Sequence, residues 1–544
     1  MMKNWLLLII LSLLLSVVAG ACGQAGEKNF GREQVEKEEQ VLNLLSSADL
    51  PTMDTTEADD SASFTAMNQV FEGLYRLGPD QKLVPGVAKA LEKSEDGRVL
   101  TFHLHEKAKW SDGSPVTAHD FIFAWKKAIH PKTLSPYAYL FKPIQNAEAI
   151  MTKGNPLFGK VDVLGVKALN DKTLQVTLDI PVPYFLYLTA FPTFFPQKES
   201  FVKKTGSEYA LYPDKMLYNG PFFMSKWTTS GWTFEKNRTY WDRDTVKLEK
   251  IHYKVMKDAA SETNLFETGQ VDRASVHAAF IDYYQNHPDF YTKRDPSMWF
   301  LKFNVDRIPL LQRKAIQRAI NKEQLVENLL KNGSVKADYF FPEGFAFHPT
   351  SGEDFRAKYG NLVSYDVDEA KRYWKEAGSP KVTWELLISD QDQTKKIAEF
   401  IKNELETNLP GLTISINVQP FKQRLALDHA INYDIQLAGW GPDYQDPLTF
   451  MDLWVTDGGN NKTNYENPEY DKVIEEAISN YHSLAARFES LQNLEVIVLK
   501  DDAVIAPLFQ GGHAVLQKKY VKNFIEHPFG PAYSLKWVFF DKKY

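Results

Sequence analysis

The chain has 544 residues, more than one hydrophobic core ordinarily serves, so two or three domains are expected. Its 44% hydrophobic and 24% charged residues are those of an ordinary soluble globular protein. A net charge of −7 with no basic stripe leaves nothing to neutralise phosphates, which excludes a nucleic-acid partner. Aromatic residues make up 13%, a content that suits ring-face binding of sugars or peptides and large β-rich cores alike.

The chain begins Met1-Met2-Lys3-Asn4, continues with an apolar run from Trp5 to Val18, and reaches Ala19-Gly20-Ala21-Cys22. A positive start, a short apolar run and small residues have the layout of a secretory signal, too short for a membrane span. Cys22 is the only cysteine, which excludes a disulfide framework and a thiolate metal site in the mature chain. Its place directly after the small residues resembles the bacterial lipobox, although alanine stands three positions before it, where leucine is commoner. That resemblance implies a signal over 1–21, diacylation of Cys22 and a polar tether over 22–40. Several acyl chains together hold a protein on a membrane where one would not. A cleaved signal with an incidental cysteine is the alternative.

From Val41 the pattern changes to a buried strand, Val41-Leu42-Asn43-Leu44-Leu45, followed by an acidic loop, Met53–Ser61. A helical stretch leads to Phe71-Glu72-Gly73-Leu74-Tyr75, and β runs follow around Leu100–Leu104. Asp112-Gly113 is a turn signal. Thr117 with Asp120 approaches a capping box, and Phe121, Ala124, Trp125 and Ala128 share one helical face. Farther on, Ile397, Ala398, Ile401 and Leu405 have helix spacing, Pro410-Gly411 ends that helix, and Leu412–Val418 alternates as a strand. A second helix is expected over Arg424–Ala430. Strand–helix–strand units of this kind imply parallel pairing and a crevice at the carboxyl ends of strands.

Tyr433–Ala438 alternates polar and apolar as a half-buried strand does, and Gly439-Trp440-Gly441-Pro442-Asp443 follows at its end. The two glycines leave the backbone bare beside an aromatic ring and a carboxylate, which suits a ligand with a peptide backbone and a free ammonium group. A core tryptophan and a turn aspartate are the plainer reading. No nucleophile elbow, zinc motif, P-loop or dinucleotide fingerprint is present, and the twelve histidines show no metal-ligand spacing. His103 and His105 could pair on one strand face, or lie at a solvated edge. No enzyme activity and no cofactor are expected.

The run from Phe71 to Tyr139, FEGLYRLGPDQK through WSDGSPVTAHDF to LSPYAY, resembles the oligopeptide-binding lipoproteins of ABC peptide importers. Tyr218–Phe222, Lys236–Asp242, Val246–Ile251, Arg313–Ile316, Ala438–Tyr444 and Asn467–Asp471 agree with that family in order, so the match covers Val41 to Tyr544. The resemblance implies an α/β fold of two lobes, like the type II periplasmic binding proteins, with a third inserted domain and a hinge. Lobe I would comprise 41–71, 198–298 and 511–544, the inserted domain 72–197, and lobe II 299–510. It also implies a monomer, a peptide ligand and an ABC permease as partner.

By the same resemblance Asp443 receives the peptide ammonium, Trp440 and Gly441 lie on the backbone-pairing strand, and Asp59 and Ser61 stand opposite. Tyr137, Trp299, Leu301 and Phe421 would form pocket walls, with core packing as the alternative for each. The chain departs from its relatives where basic side chains receive the peptide carboxylate: Leu437, Asp428 and Thr394 stand there, none basic, and Arg424 is a nearby substitute. Dipeptides, signalling peptides and metal complexes remain alternative ligands. A surface peptidase, a chaperone and an adhesin are the rival functions.

Overall fold

The computed structural model describes residues 40–479 and 483–541. The expected signal, Cys22 and most of the tether lie outside the described residues. The first strand, Val41–Ser46, buries Leu42 and Leu44 and pairs parallel with Lys250–Val255, some two hundred residues later. Lys250–Val255 then pairs antiparallel with Gly231–Lys236, which forms a hairpin with Phe222–Thr228. Gly231 has φ +147°, and a Cβ there would lie 2.0 Å from the Tyr253 carbonyl oxygen, so only glycine lets these strands meet.

The intervening chain builds a separate four-stranded antiparallel sheet of Ala88–Lys93, Val99–Leu104, Thr173–Thr177 and Val166–Asn170. Helix Ala118–Ile129 carries the expected cap: Thr117 N donates to Asp120 Oδ2 at 2.8 Å. Its expected face is in the core, with Phe121, Ala124, Trp125 and Ala128 all at 1% exposure or less.

The second large sheet has seven strands around two long antiparallel ones, Phe290–Phe303 and Ile505–Gln517. Both expected lobe boundaries, after Met298 and after Gln510, fall inside these continuous strands. Their register breaks at a bulge between Arg294 and Met298 and again after Trp299. Val382–Ser389 and Leu412–Gln419 pair parallel through helix Asp392–Asn408, which buries Ile397, Ala398, Ile401 and Leu405 as its spacing predicts. The next helix, Phe421–His429, begins three residues earlier than expected, directly after Pro420.

Strand Ile435–Trp440 corrects the sequence reading. Ile435, Gln436, Leu437 and Ala438 are all buried, not alternately so. The strand is internal: it pairs antiparallel with Met298–Phe303 over six residues and parallel with Leu386 and Leu387 on its other side. A strand covered on both faces has no solvent side for alternate residues to face.

Candidate functional site

A cavity of about 410 Å³ opens where Ile435–Trp440 ends. Its lining brings together Asp443, Trp440, Gly441, Asp59, Ser61, Tyr137, Trp299 and Phe421 from segments nearly four hundred residues apart. Leu301 is not among them. It is fully buried in the second core with Phe303 and Ile308, so the expectation of a wall residue is corrected to core packing.

Asp443 sits in the bend after the strand, 8% exposed, its amide donating to Thr449 Oγ1 at 3.0 Å. The Tyr137 hydroxyl donates to Asp443 Oδ1 at 3.3 Å, whereas Oδ2 is buried with no partner among the described residues. Burial, and then the neighbouring Asp452, hold the Asp443 carboxyl well above the usual carboxylate range, and the Tyr137 hydrogen bond offsets this only in part. Burial likewise raises Asp452 to about 8, against the hydrogen bond donated by the Tyr444 hydroxyl at 2.9 Å. A cation placed at Asp443 would offset the effect of burial, favour loss of the carboxyl proton and form a charge-assisted pair away from water.

Tyr137 fills both roles left open for it. Its ring packs against Phe64 at 5.2 Å and Phe191 at 5.3 Å and lies parallel to Trp440 at 6.5 Å, while its hydroxyl reaches the site. The Trp440 indole is fixed by a bond from Nε1 to the Thr449 carbonyl at 2.9 Å. The two glycines around it differ. A Cβ on Gly439 would meet the Trp299 ring at 3.1 Å, whereas one on Gly441 would find nothing within 4 Å. Gly439 thus serves packing, and Gly441 is the bare backbone facing the cavity.

Across the cavity, Asp60 caps helix Ser61–Val70, with Oδ1 accepting from Ser63 N at 2.8 Å. Its Oδ2 is buried and unpartnered, and burial raises the carboxyl to about 6. Asp59 pairs with His429 Nε2 on the other side of the cleft. The sequence reading places Asp59 and Ser61 of this loop at the site, and the unpartnered acid between them is Asp60.

Of the cations, the sequence reading names only Arg424 and misses Lys302 and Lys462. Lys302, Arg424 and Lys462 all line the cavity. Lys302 is buried and paired with Asp428, the position where a base was found wanting, and burial lowers its pKa despite that partner. Arg424 lies over the Phe421 ring at 5.3 Å; neither it nor Lys462 has an ion-pair partner among the described residues. The signal for Lys302 was there: a lysine in the apolar strand run Met298–Phe303 cannot be buried without a counter-charge. Thr394 lies in the fold, within 3.3 Å of Gln391 Oε1, and does not line the cavity. His103 and His105 form no pair: His103 is 2.9 Å from Glu92, and His105 stacks on Trp241 at 4.0 Å.

The cleft is closed. Gly530 N donates to the Pro442 carbonyl at 2.8 Å, Lys257 pairs with Asp390 at 2.7 Å, and Tyr184 stacks on Tyr444 at 4.8 Å. A closed cleft between α/β lobes, with an unpaired carboxyl at one place and unpaired cations at another, defines a binding protein for a small charged solute. The chain belongs to the bacterial extracellular solute-binding proteins, family 5 Middle, whose model matches residues 82–462. The oligopeptide-binding protein OppA of Bacillus subtilis is 32% identical over 98% of this chain and 99% of its own. The structure of Listeria monocytogenes OppA bound to peptide is 41% identical and superposes with a TM-score of 0.89, covering 93% of this chain and 100% of that one.

A third relative bears on the closure. The murein tripeptide-binding protein MppA of Escherichia coli, 28% identical over 92% of this chain and 99% of its own, superposes with a TM-score of 0.84. Its unliganded open form, 27% identical over 92% and 98%, gives only 0.59. Sequence and coverage barely change between the two, so the drop reports a different placement of the parts, and this chain does not share the open one.

Proposed function

We propose that this protein captures short peptides in the closed cleft and hands them to an ABC permease, without chemical change to the ligand. One observation carries the reading: the buried Asp443 carboxyl, with an oxygen that nothing among the described residues satisfies, faces a cavity beside bare backbone at Gly441. A peptide ammonium would ionise and pair with it, and the peptide main chain would lie along the Gly439–Gly441 segment as an added strand. Asp59, Ser61, Trp299, Tyr137 and Phe421 would form the walls. Arg424 and Lys462 supply the unpaired positive charge for the ligand carboxylate, which supports zwitterionic peptides over other solutes.

The lobes would divide near the expected limits, 41–71 with 198–298 and 511–544 against 299–510, and 72–197 would be the insertion. The hinge would be the bulge at Arg294–Met298, where the long strands lose register. Ligand contacts to both lobes would favour the closed state, which docks on the permease. The protein would act as a monomer held on the outer face of the membrane by acylated Cys22.

Native mass spectrometry of the purified protein beside an Asp443→Ala variant tests the reading. A mixture of short peptides carried by the first and lost by the second is expected. An unloaded protein that ignores an added peptide library overturns peptide capture; equal loading of both moves the ammonium site elsewhere.

A further inference from the structure

Beside the cleft lies a second cavity of about 560 Å³. Ser61, Ser297, Gln391, Phe421, Gly441 and Gly530 line both, so the two are bays of one interior. They meet beside Asp443, two residues after the shared Gly441. Aromatic rings of Trp232, Tyr253, Phe524 and Tyr533 wall the second bay, and its floor includes Glu262 and Ser275.

Arg273, Asp295, His513 and Glu526 on the same lining satisfy one another. Glu526 pairs with Arg273, with His513 Nε2 at 3.1 Å and with Lys293 at 3.3 Å, while Asp295 receives His513 Nδ1 at 2.8 Å. Burial opposes charge on His513, yet the hydrogen bonds to these two carboxylates bring it to about 9. Burial equally opposes charge on Glu526, and its hydrogen bond from His513 and the Arg273 charge hold it near 2. This network therefore stays ionised and internally paired through the neutral range. His527 is pushed to about 3 by burial and is neutral, bonded to Gln81 and Ser534.

Glu262 is the exception. Its Oε2 accepts from Ser275 N at 3.2 Å, and no cation pairs with it among the described residues. Burial is the main reason that the Glu262 carboxyl stands near 7, and the nearby Asp258 charge adds to it. A nearly buried carboxylate without a counter-ion is costly, and here it faces a roomy cavity under aromatic walls. A lysine or arginine side chain fits that arrangement: its aliphatic stem packs on rings, its charge meets rings and carboxylate together.

We propose that this second bay is a specificity pocket for a cationic side chain near the amino end of the bound peptide, with Glu262 as its counter-ion. The assignment rests on the peptide-capture reading. The network cations do not compete for Glu262, because their own carboxylates hold them. The Arg273 guanidinium is further occupied by the Phe524 ring at 4.3 Å and the Tyr291 hydroxyl at 2.6 Å.

The test is calorimetry with the full chain and its Glu262→Gln variant at pH 8 and pH 6. The ligands are tetra-alanine, four peptides with one lysine each, and their norleucine counterparts. One lysine peptide, substituted near its amino end, is expected to bind about tenfold tighter than its norleucine match at pH 8, the worth of one charged hydrogen bond. That preference shrinks at pH 6, where Glu262 takes up a proton, and falls below about twofold in Glu262→Gln. Tetra-alanine binds both proteins equally. Absence of a lysine preference, or its survival in the variant, overturns the pocket while leaving peptide capture intact. Loss of tetra-alanine in the variant makes Glu262 structural and overturns it too; no binding by any peptide sinks both readings.

Discussion

Glu72 and Asp443 are both buried carboxylic acids, and the chain surrounds them in opposite ways. Glu72 is wholly enclosed, yet it receives Arg76 Nε at 3.1 Å, the Tyr240 hydroxyl and the Trp241 indole, and its amide is held by Asn219 Oδ1 at 3.0 Å. Asp443 is almost as buried, but it has one weak donor, an unpartnered oxygen and an acidic neighbour. The first acid joins the segment around residue 72 to the 219–241 region; the second reaches Tyr137 through one long hydrogen bond and leaves a charge to be matched. Burial alone therefore does not mark a site. What marks it is burial with the partner missing and a cavity in front.

Mutation of the two acids should separate these roles. Glu72→Ala strands the buried Arg76 charge and should cost about 3–5 kcal/mol of stability, read by urea unfolding. Asp443→Asn should lower stability by no more than about 1 kcal/mol, the worth of one hydrogen bond. It should weaken peptide binding by about 2–5 kcal/mol, as removal of one partner of a desolvated charge pair does. A stability loss at Asp443 as large as that at Glu72 would erase the comparison.

The acids also predict a pH dependence. Asp443 and Asp452 have raised folded-state pKa values, so the ligand-free fold retains protons that the unfolded chain gives up near pH 4. Their contribution to stability is full below about pH 4 and is lost as pH rises, through about 8 for Asp452. The unfolding midpoint of ligand-free protein should accordingly fall between pH 5 and pH 8, with a shallower slope in Asp443→Asn. Peptide binding should release up to about one proton at pH 6, measured by calorimetry in buffers of different ionisation enthalpy. A release that persists unchanged in Asp443→Asn would assign the proton to another group.

At the opposite charge of the ligand the expected effect is smaller. Amidation of a peptide carboxylate should weaken binding by about 1.5–3 kcal/mol, the range for a hydrogen bond to a charged group. That penalty should disappear in an Arg424→Ala, Lys462→Ala double variant. The glycines give a second internal contrast: Gly439→Ala must displace the Trp299 ring and should cost about 1–3 kcal/mol of stability by overpacking. Gly441→Ala has open space and should spare stability while weakening peptide binding.

Much of this was legible before any coordinates. The Thr117–Asp120 cap, the apolar face of helix Ala118–Ile129 and helix Asp392–Asn408 depend on residues three and four apart, which periodicity reports directly. The Gly439–Asp443 stretch already suggested a peptide ligand by its bare backbone, ring and carboxylate, whereas Tyr137 was reached only through likeness to a family, since no local pattern joins residue 137 to residue 443. What stayed hidden depended on neighbours distant in sequence. Alternation at Tyr433–Ala438 misled because both faces of the strand are packed, Ile435 and Leu437 in one core and Ala438 in the other. Leu301 was placed in the wall by likeness to the family, but the second core claims it. The Lys302–Asp428 pair spans 126 residues and explains why the family's basic position holds an acid here.

The smallest effect concerns the rim of the cleft, where His429 meets Asp59. His429 is partly exposed, so the contact should contribute only about 0.2–1 kcal/mol to closure. His429→Ala should therefore leave the folded stability of the chain unchanged and raise the open fraction of peptide-free protein by less than about fivefold, measured by small-angle scattering or a fluorescence pair across the cleft. The closed state instead draws its contacts from the interior, from Tyr137 with Asp443 and Tyr184 with Tyr444. A large opening in His429→Ala would place the latch at the rim and leave Asp443 to recognise the ligand without holding the lobes together.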